Sequence, residues 1–156
     1  MDFYERLVTE ITGLQRRVER LERIESPGEW QDWTPTLTQN VSVSFTTSYA
    51  RYLTVGRLVV VRCLLLITGA GTGGNVIVVG GIPAAIAPAH SGATPITTGA
   101  FSYFDTGTSF YAGSVFPVGV STLQFICSGV ASYLGATPNF AAANGDRISF
   151  NAVWER

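Results

Sequence analysis

The chain of 156 residues carries ten arginines, no lysine and eleven acidic side chains, for a formal net charge of −1. No basic cluster forms an electrostatic footprint for nucleic acid or an anionic surface, so neither a nucleic-acid partner nor membrane insertion is expected. The charge is unevenly spread: residues 2–29 hold seven acidic and five basic side chains, residues 30–156 only four and five. A charged N-terminal segment and a nearly uncharged remainder follow.

The charged segment has a spacing that points to a partner. Tyr4, Leu7, Ile11, Leu14, Val18 and Leu21 recur at alternating steps of three and four. This is a heptad seam, with Tyr4, Ile11 and Val18 at a and Leu7, Leu14 and Leu21 at d. One apolar stripe on an otherwise charged helix calls for another helix. Arg17 at g and Glu22 at e stand at the offset where parallel neighbours pair their charges. The run Arg17-Val18-Glu19-Arg20-Leu21-Glu22 resembles the short trimerisation motif of three-stranded coiled coils. The β-branched residues at a with leucine at d lean, by themselves, toward two strands. The expectation is a parallel homotrimeric coiled coil over residues 1–25, then a linker over 26–29, where Pro27 cannot continue a helix and Gly28 permits a turn.

The opening MDFYER carries an acid and is followed by a heptad where a signal peptide would have its apolar core and small-residue cleavage site, so a cytoplasmic site of synthesis is expected. The longest apolar run, residues 58–67, is about half a membrane span and contains Arg62. Trp30 and Trp33, beside the linker, are expected to plug the base of the following domain, with carbohydrate stacking as the sharper alternative. From residue 41 onward the text reads as about eight short strands separated by Gly, Asp, Asn and Pro clusters. An antiparallel β-sandwich of jelly-roll type over residues 30–156 is expected. The last strand alternates cleanly, with Ile148, Phe150, Ala152 and Trp154 on one side. Residues 58–67 do not alternate; apart from Arg62 both faces are apolar, so a neighbouring subunit is expected to cover Leu64 and Leu66 and add to the trimer contact.

Chemistry is sparse. Cys63 and Cys127 sit in strand-like runs without a CxxC or a nearby His, which reads as buried free thiols and leaves a metal site without ligands. The glycine-rich residues 69–74 satisfy GxGxxG, but a strand follows them instead of a helix, so they are expected to be a hairpin loop and no nucleotide cofactor is implied. His90 lies in a Pro/Ala/Gly loop with no acid near it in sequence, and turn chemistry accounts for Asp105 and Asp146. No cofactor and no enzymatic activity are expected; a glycan depolymerase is the least favoured reading.

Three strings then acquire a common meaning: Trp33-Thr34-Pro35-Thr36-Leu37-Thr38, the Tyr49, Arg51, Tyr52 and Gly56-Arg57-Leu58-Val59 pattern, and Gly145-Asp146-Arg147-Ile148-Ser149-Phe150, with Ile82-Pro83 between them. Over residues 30–156 the chain resembles the C-terminal head modules of bacteriophage fibre and receptor-binding proteins. The resemblance implies a virion surface protein made in a bacterial host, a homotrimer whose N-terminal coil joins a virion structural protein. Its head would bind a host-surface glycan, with Tyr103, Tyr111 and Tyr133 as candidate contacts. Because the seam is only about three heptads long, trimeric capsid decoration is the alternative.

Overall fold

The computed structural model describes residues 2–25, 28–90, 96–130 and 132–156, without the side chains of residue 3 and residues 20–25. The expected seam positions Leu21 and Glu22 lie outside the described side chains, and Ser26 and Pro27 of the expected linker lie outside the described residues. One helix, α1 (Phe3–Glu25), opens the chain. Its start is set by half a capping box: the Glu5 carboxylate accepts the Asp2 backbone N–H at 3.2 Å, and the Asp2 carbonyl accepts from Arg6 N–H. Leu7, Ile11, Leu14 and Val18 form an exposed stripe, each between 42% and 56% accessible, so the chain's own sheet does not cover them.

Among the described residues the remainder is built on one antiparallel sheet of eleven strands. In chain order these are β1 (Gln31–Asp32), β2 (Thr36–Gln39), β3 (Val41–Ser42), β4 (Phe45–Val55), β5 (Leu58–Ile67) and β6 (Val78–Gly80). A 3-10 turn, Ala84–Ile86, precedes β7 (Gly99–Asp105), β8 (Ser109–Val118), β9 (Thr122–Cys127), β10 (Ser132–Tyr133) and β11 (Arg147–Glu155). Across the sheet the order is β1-β4-β5-β11-β7-β8-β9-β6-β2-β3, with β10 as a second partner of β9. The sheet curls into a half-barrel whose inner face holds one apolar cluster, including Val59, Val61, Cys63 and Leu65 of β5, Phe125 of β9, Leu37 of β2, and Phe150 and Trp154 of β11.

The expected fold class, a trimeric coiled-coil shaft carrying a jelly-roll sandwich, is therefore corrected on both counts. Strand pairing runs unbroken from β1 to β3, so a single curled sheet encloses its own core where a sandwich would set two separate sheets face to face. The N-terminal segment is a single helix, and among the described residues no long coiled-coil segment is evident. The glycine-rich loop is corrected as well. β5 pairs with β4 and β11 while β6 pairs with β2 and β9, so residues 68–77 cross from one part of the sheet to another and close no hairpin.

Two buried polar side chains hold this crossover and the last turn. Gln39, fully buried, donates from Nε2 to the Asn75 carbonyl at 3.0 Å and to the Phe140 carbonyl at 2.7 Å, and its Oε1 accepts the Ala142 N–H at 2.8 Å. A Cβ on Gly71 would stand 2.1 Å from that Oε1, which explains why the loop over it carries glycine. Asp146, in the turn before β11, accepts from Tyr103 Oη at 2.7 Å, Thr106 N–H at 2.9 Å and Ala143 N–H at 2.8 Å. Three of its roughly four lone-pair sites are spent on the fold.

Candidate functional site

The site begins with a turn. Gly56 stands first in the two-residue connection between β4 and β5 with φ +59°, the left-handed conformation that lets such a turn match strand twist. That connection fixes the register: Val55 pairs with Leu58, and four residues further from the turn on each side Arg51 pairs with Arg62. β1 adds Asp32 opposite Arg51, and β11 adds Asn151 opposite Arg62. A polar row, Asp32–Arg51–Arg62–Asn151, thus crosses four strands on the outer face. Arg51 Nε donates to Asp32 Oδ1 at 2.8 Å and Arg62 Nε to Asn151 Oδ1 at 3.1 Å.

Beside this row the sheet leaves an open recess of about 430 Å³, lined by Trp30, Ser48, Tyr49, Arg51 and Arg62. Trp30 is 44% exposed, whereas Trp33, three residues on, is buried in the core. The pair of tryptophans therefore divides, one plugging the domain and one offering its ring to solvent. Tyr49 follows a register shift in β4 between Thr47 and Tyr49, an irregularity of the kind that re-aims side chains at functional rims. Two partly exposed aromatic rings, two guanidiniums and a hydroxyl are the groups that stack on and hydrogen-bond to a sugar.

The tyrosines proposed from sequence are scattered. Tyr103 is fully buried, its hydroxyl bonded to Asp146; burial first, then that bond and the Asp146 charge, push its pKa upward. Tyr111 is half-buried, stacked on Phe140 with ring centroids 5.0 Å apart. It lines a second open recess of about 420 Å³ with Phe110, Val130 and Pro138 among its neighbours. Tyr133 is exposed on β10 and tilts against Phe116 at 5.8 Å. Of the three, Tyr111 and Tyr133 present surface.

Leu64 and Leu66 are half-buried on the outer face of β5. Leu64 stands between Tyr49 and Ser149, and Leu66 between Thr46 and Arg147, so long side chains of the same chain flank both. Tyr4 and Arg17 are exposed on α1 with Leu7, Ile11, Leu14 and Val18.

Cys63 and Cys127 are buried and unpaired, and burial pushes the Cys63 thiol up to about 12 and raises that of Cys127. Asp105 is buried near Asp146; burial and then the Asp146 charge raise its pKa, partly offset by a bond from Thr108. His90, isolated in sequence, shares a recess of about 150 Å³ with Glu155 and Trp154, a neighbourhood that only the fold creates. Among the described residues no group of three or more His, Cys, Asp or Glu gathers to hold a metal, and no helix is long and apolar enough to cross a membrane.

Sequence reasoning singled out Trp30 as a stacking alternative and Arg62 as the one charge in an apolar run, but did not join them. The signal was present in the Val55-Gly56 turn, since counting equally outward from it places Arg51 opposite Arg62. Comparison with protein-family models, with curated proteins and with solved structures gives no match for this chain.

Proposed function

We propose that this chain is a non-enzymatic attachment protein of a bacteriophage particle. It self-associates as a homotrimer through the apolar stripe of α1, joins a virion structural protein at that end, and binds a host-surface glycan on the outer face of its sheet. The observation that carries the binding reading is the recess in which Trp30 and Tyr49 flank a row of hydrogen-bonding side chains. Aromatic rings give sugars a flat apolar partner, and fixed polar groups beside them read hydroxyls.

The self-association reading draws on Leu7, Ile11, Leu14 and Val18, four exposed apolar side chains in line on an otherwise charged helix. Ser149, Ser102 and Asn151 add hydroxyl and amide groups to the outer face alongside the arginines. The phage assignment draws on the motif likeness. Several residues of those motifs hold the fold, Gly56 in the β4–β5 turn and Asp146 in its buried network, so the likeness is one of architecture-bearing positions.

The test is binding of the full chain to a panel of bacterial surface glycans, with Trp30→Ala as the control. Replacing an exposed stacking ring is expected to weaken binding about tenfold without unfolding the domain. No glycan bound, or binding indifferent to Trp30→Ala and to Tyr49→Ala, would sink the reading. Antibody labelling of purified particles separates the two phage roles: label at the tail tip means attachment, and label over the shell means capsid decoration.

A further inference from the structure

The recess is electrostatically one-sided. Arg51 and Arg62 stand directly opposite each other on neighbouring strands, an arrangement that is unfavourable between like charges unless something intervenes. Asp32 answers Arg51, at 2.8 Å, but among the described residues Arg62 is met only by the neutral Asn151 amide oxygen at 3.1 Å. Two guanidiniums and one carboxylate leave the row with a single uncompensated positive charge. In both bonds the arginine donates from Nε. Among the described residues no protein group accepts from the paired Nη groups of either side chain, and both arginines line the recess, so that edge is available to grip a carboxylate with two parallel hydrogen bonds.

We propose that the recess takes an acidic saccharide, its sugar ring lying against Trp30 or Tyr49 and its carboxylate held by Arg51 and Arg62. The inference rests on the glycan reading above and narrows it. A singly charged carboxylate matches the one unpaired charge of the row. The aromatic wall supplies what the arginines lack, a flat apolar surface for the ring carbons. Salt weakens the exposed charge contacts and spares the stacking, so affinity falls with ionic strength toward that of a neutral sugar.

The experiment titrates the full chain with oligosaccharides of hyaluronan, alginate and polygalacturonate, each beside its carboxyl-reduced form, and with neutral bacterial glycans in the same series. At least one acidic member is expected to bind about tenfold or more tightly than its reduced form, the scale of a charge-assisted hydrogen-bond pair. Arg62→Gln is expected to erase that difference, Arg62→Lys to restore part of it, and Trp30→Ala to weaken acidic and neutral forms alike. Arg62 is exposed, so an unchanged denaturation midpoint serves as its folding control. Equal binding of acidic and reduced forms would overturn the acidic assignment and leave the glycan reading standing, as would binding confined to neutral glycans. An acidic preference that survives Arg62→Gln would overturn the placement. No saccharide bound at all would overturn both.

Discussion

Replacing Gln39 with Met tests whether one buried amide holds the crossing connection in place. The change keeps side-chain length and removes every polar atom, leaving the Ala142 N–H and the Asn75 and Phe140 carbonyls without the partner they have at 2.7–3.0 Å. A buried backbone group deprived of its hydrogen bond costs about 1–3 kcal/mol. Three such groups give about 3–6 kcal/mol, allowing for partial relaxation, a large share of the roughly 5–15 kcal/mol that holds a domain together. Urea denaturation at fixed protein concentration measures it, and the midpoint should fall with little change in slope. The same geometry makes Gly71→Ala destabilising, because its new Cβ would meet Gln39 Oε1 at 2.1 Å. In a Gln39→Ala background the Oε1 contact is gone and the 3.0 Å approach of the residue 39 Cβ remains, so the second substitution should cost less than in the native chain without becoming free. A loss below about 1 kcal/mol for Gln39→Met would refute the reasoning, since the freed groups would then be satisfied some other way.

Three further outcomes are expected. Gly13→Ala on the helix, where a Cβ meets nothing within 4 Å, should raise helix stability by about 1 kcal/mol, read as a higher melting temperature of the helical circular-dichroism signal. Asp105 has a raised pKa when folded, so the native state holds its proton more tightly than the unfolded chain does. Its stabilising contribution is present below the unfolded value and is lost as pH rises through the folded one. Asp105→Asn should therefore stabilise the protein at neutral pH, with the gain shrinking toward pH 4, and a gain independent of pH would contradict this. Cys63 and Cys127 should resist a thiol reagent at mildly alkaline pH in the native state and both react once denaturant is added, because burial hinders access and holds Cys63 near 12.

Much of the secondary structure was legible in the sequence. The helix follows its heptad stripe, residues 58–67 form β5 with the bounds its composition suggested, and β11 alternates as its residues do. The layer arrangement was not legible, because an alternating strand looks the same in a sandwich and in a curled sheet. What decides between them is long-range pairing such as β11 between β5 and β7, which no local pattern records. In the sequence, the double apolar face of β5 reads as a demand for a neighbouring subunit. Tyr49 and Arg147 flank Leu64 and Leu66 within the same chain, a contribution visible only once the register is known. The site was half legible. Trp30 stands out by type and Arg62 by contrast, while Tyr103 is buried where the sequence suggests surface, because an aromatic strand residue gives no sign of which face it takes until its partner, here Asp146, is found.

The position of β11 also governs how the molecule can be made. It lies between β5 and β7, yet it is the last strand of the chain. Until residue 155 is available, β5 and β7 each display a bare row of backbone donors and acceptors, and the two parts of the sheet have no common member. Such open rows invite pairing with other nascent chains. Closure must wait for the whole domain and depends on contacts between distant parts of the sequence, which favours slow assembly. Pairing of β11 thus competes with pairing between chains, and lower growth temperature and slower expression are expected to raise the yield of folded molecules.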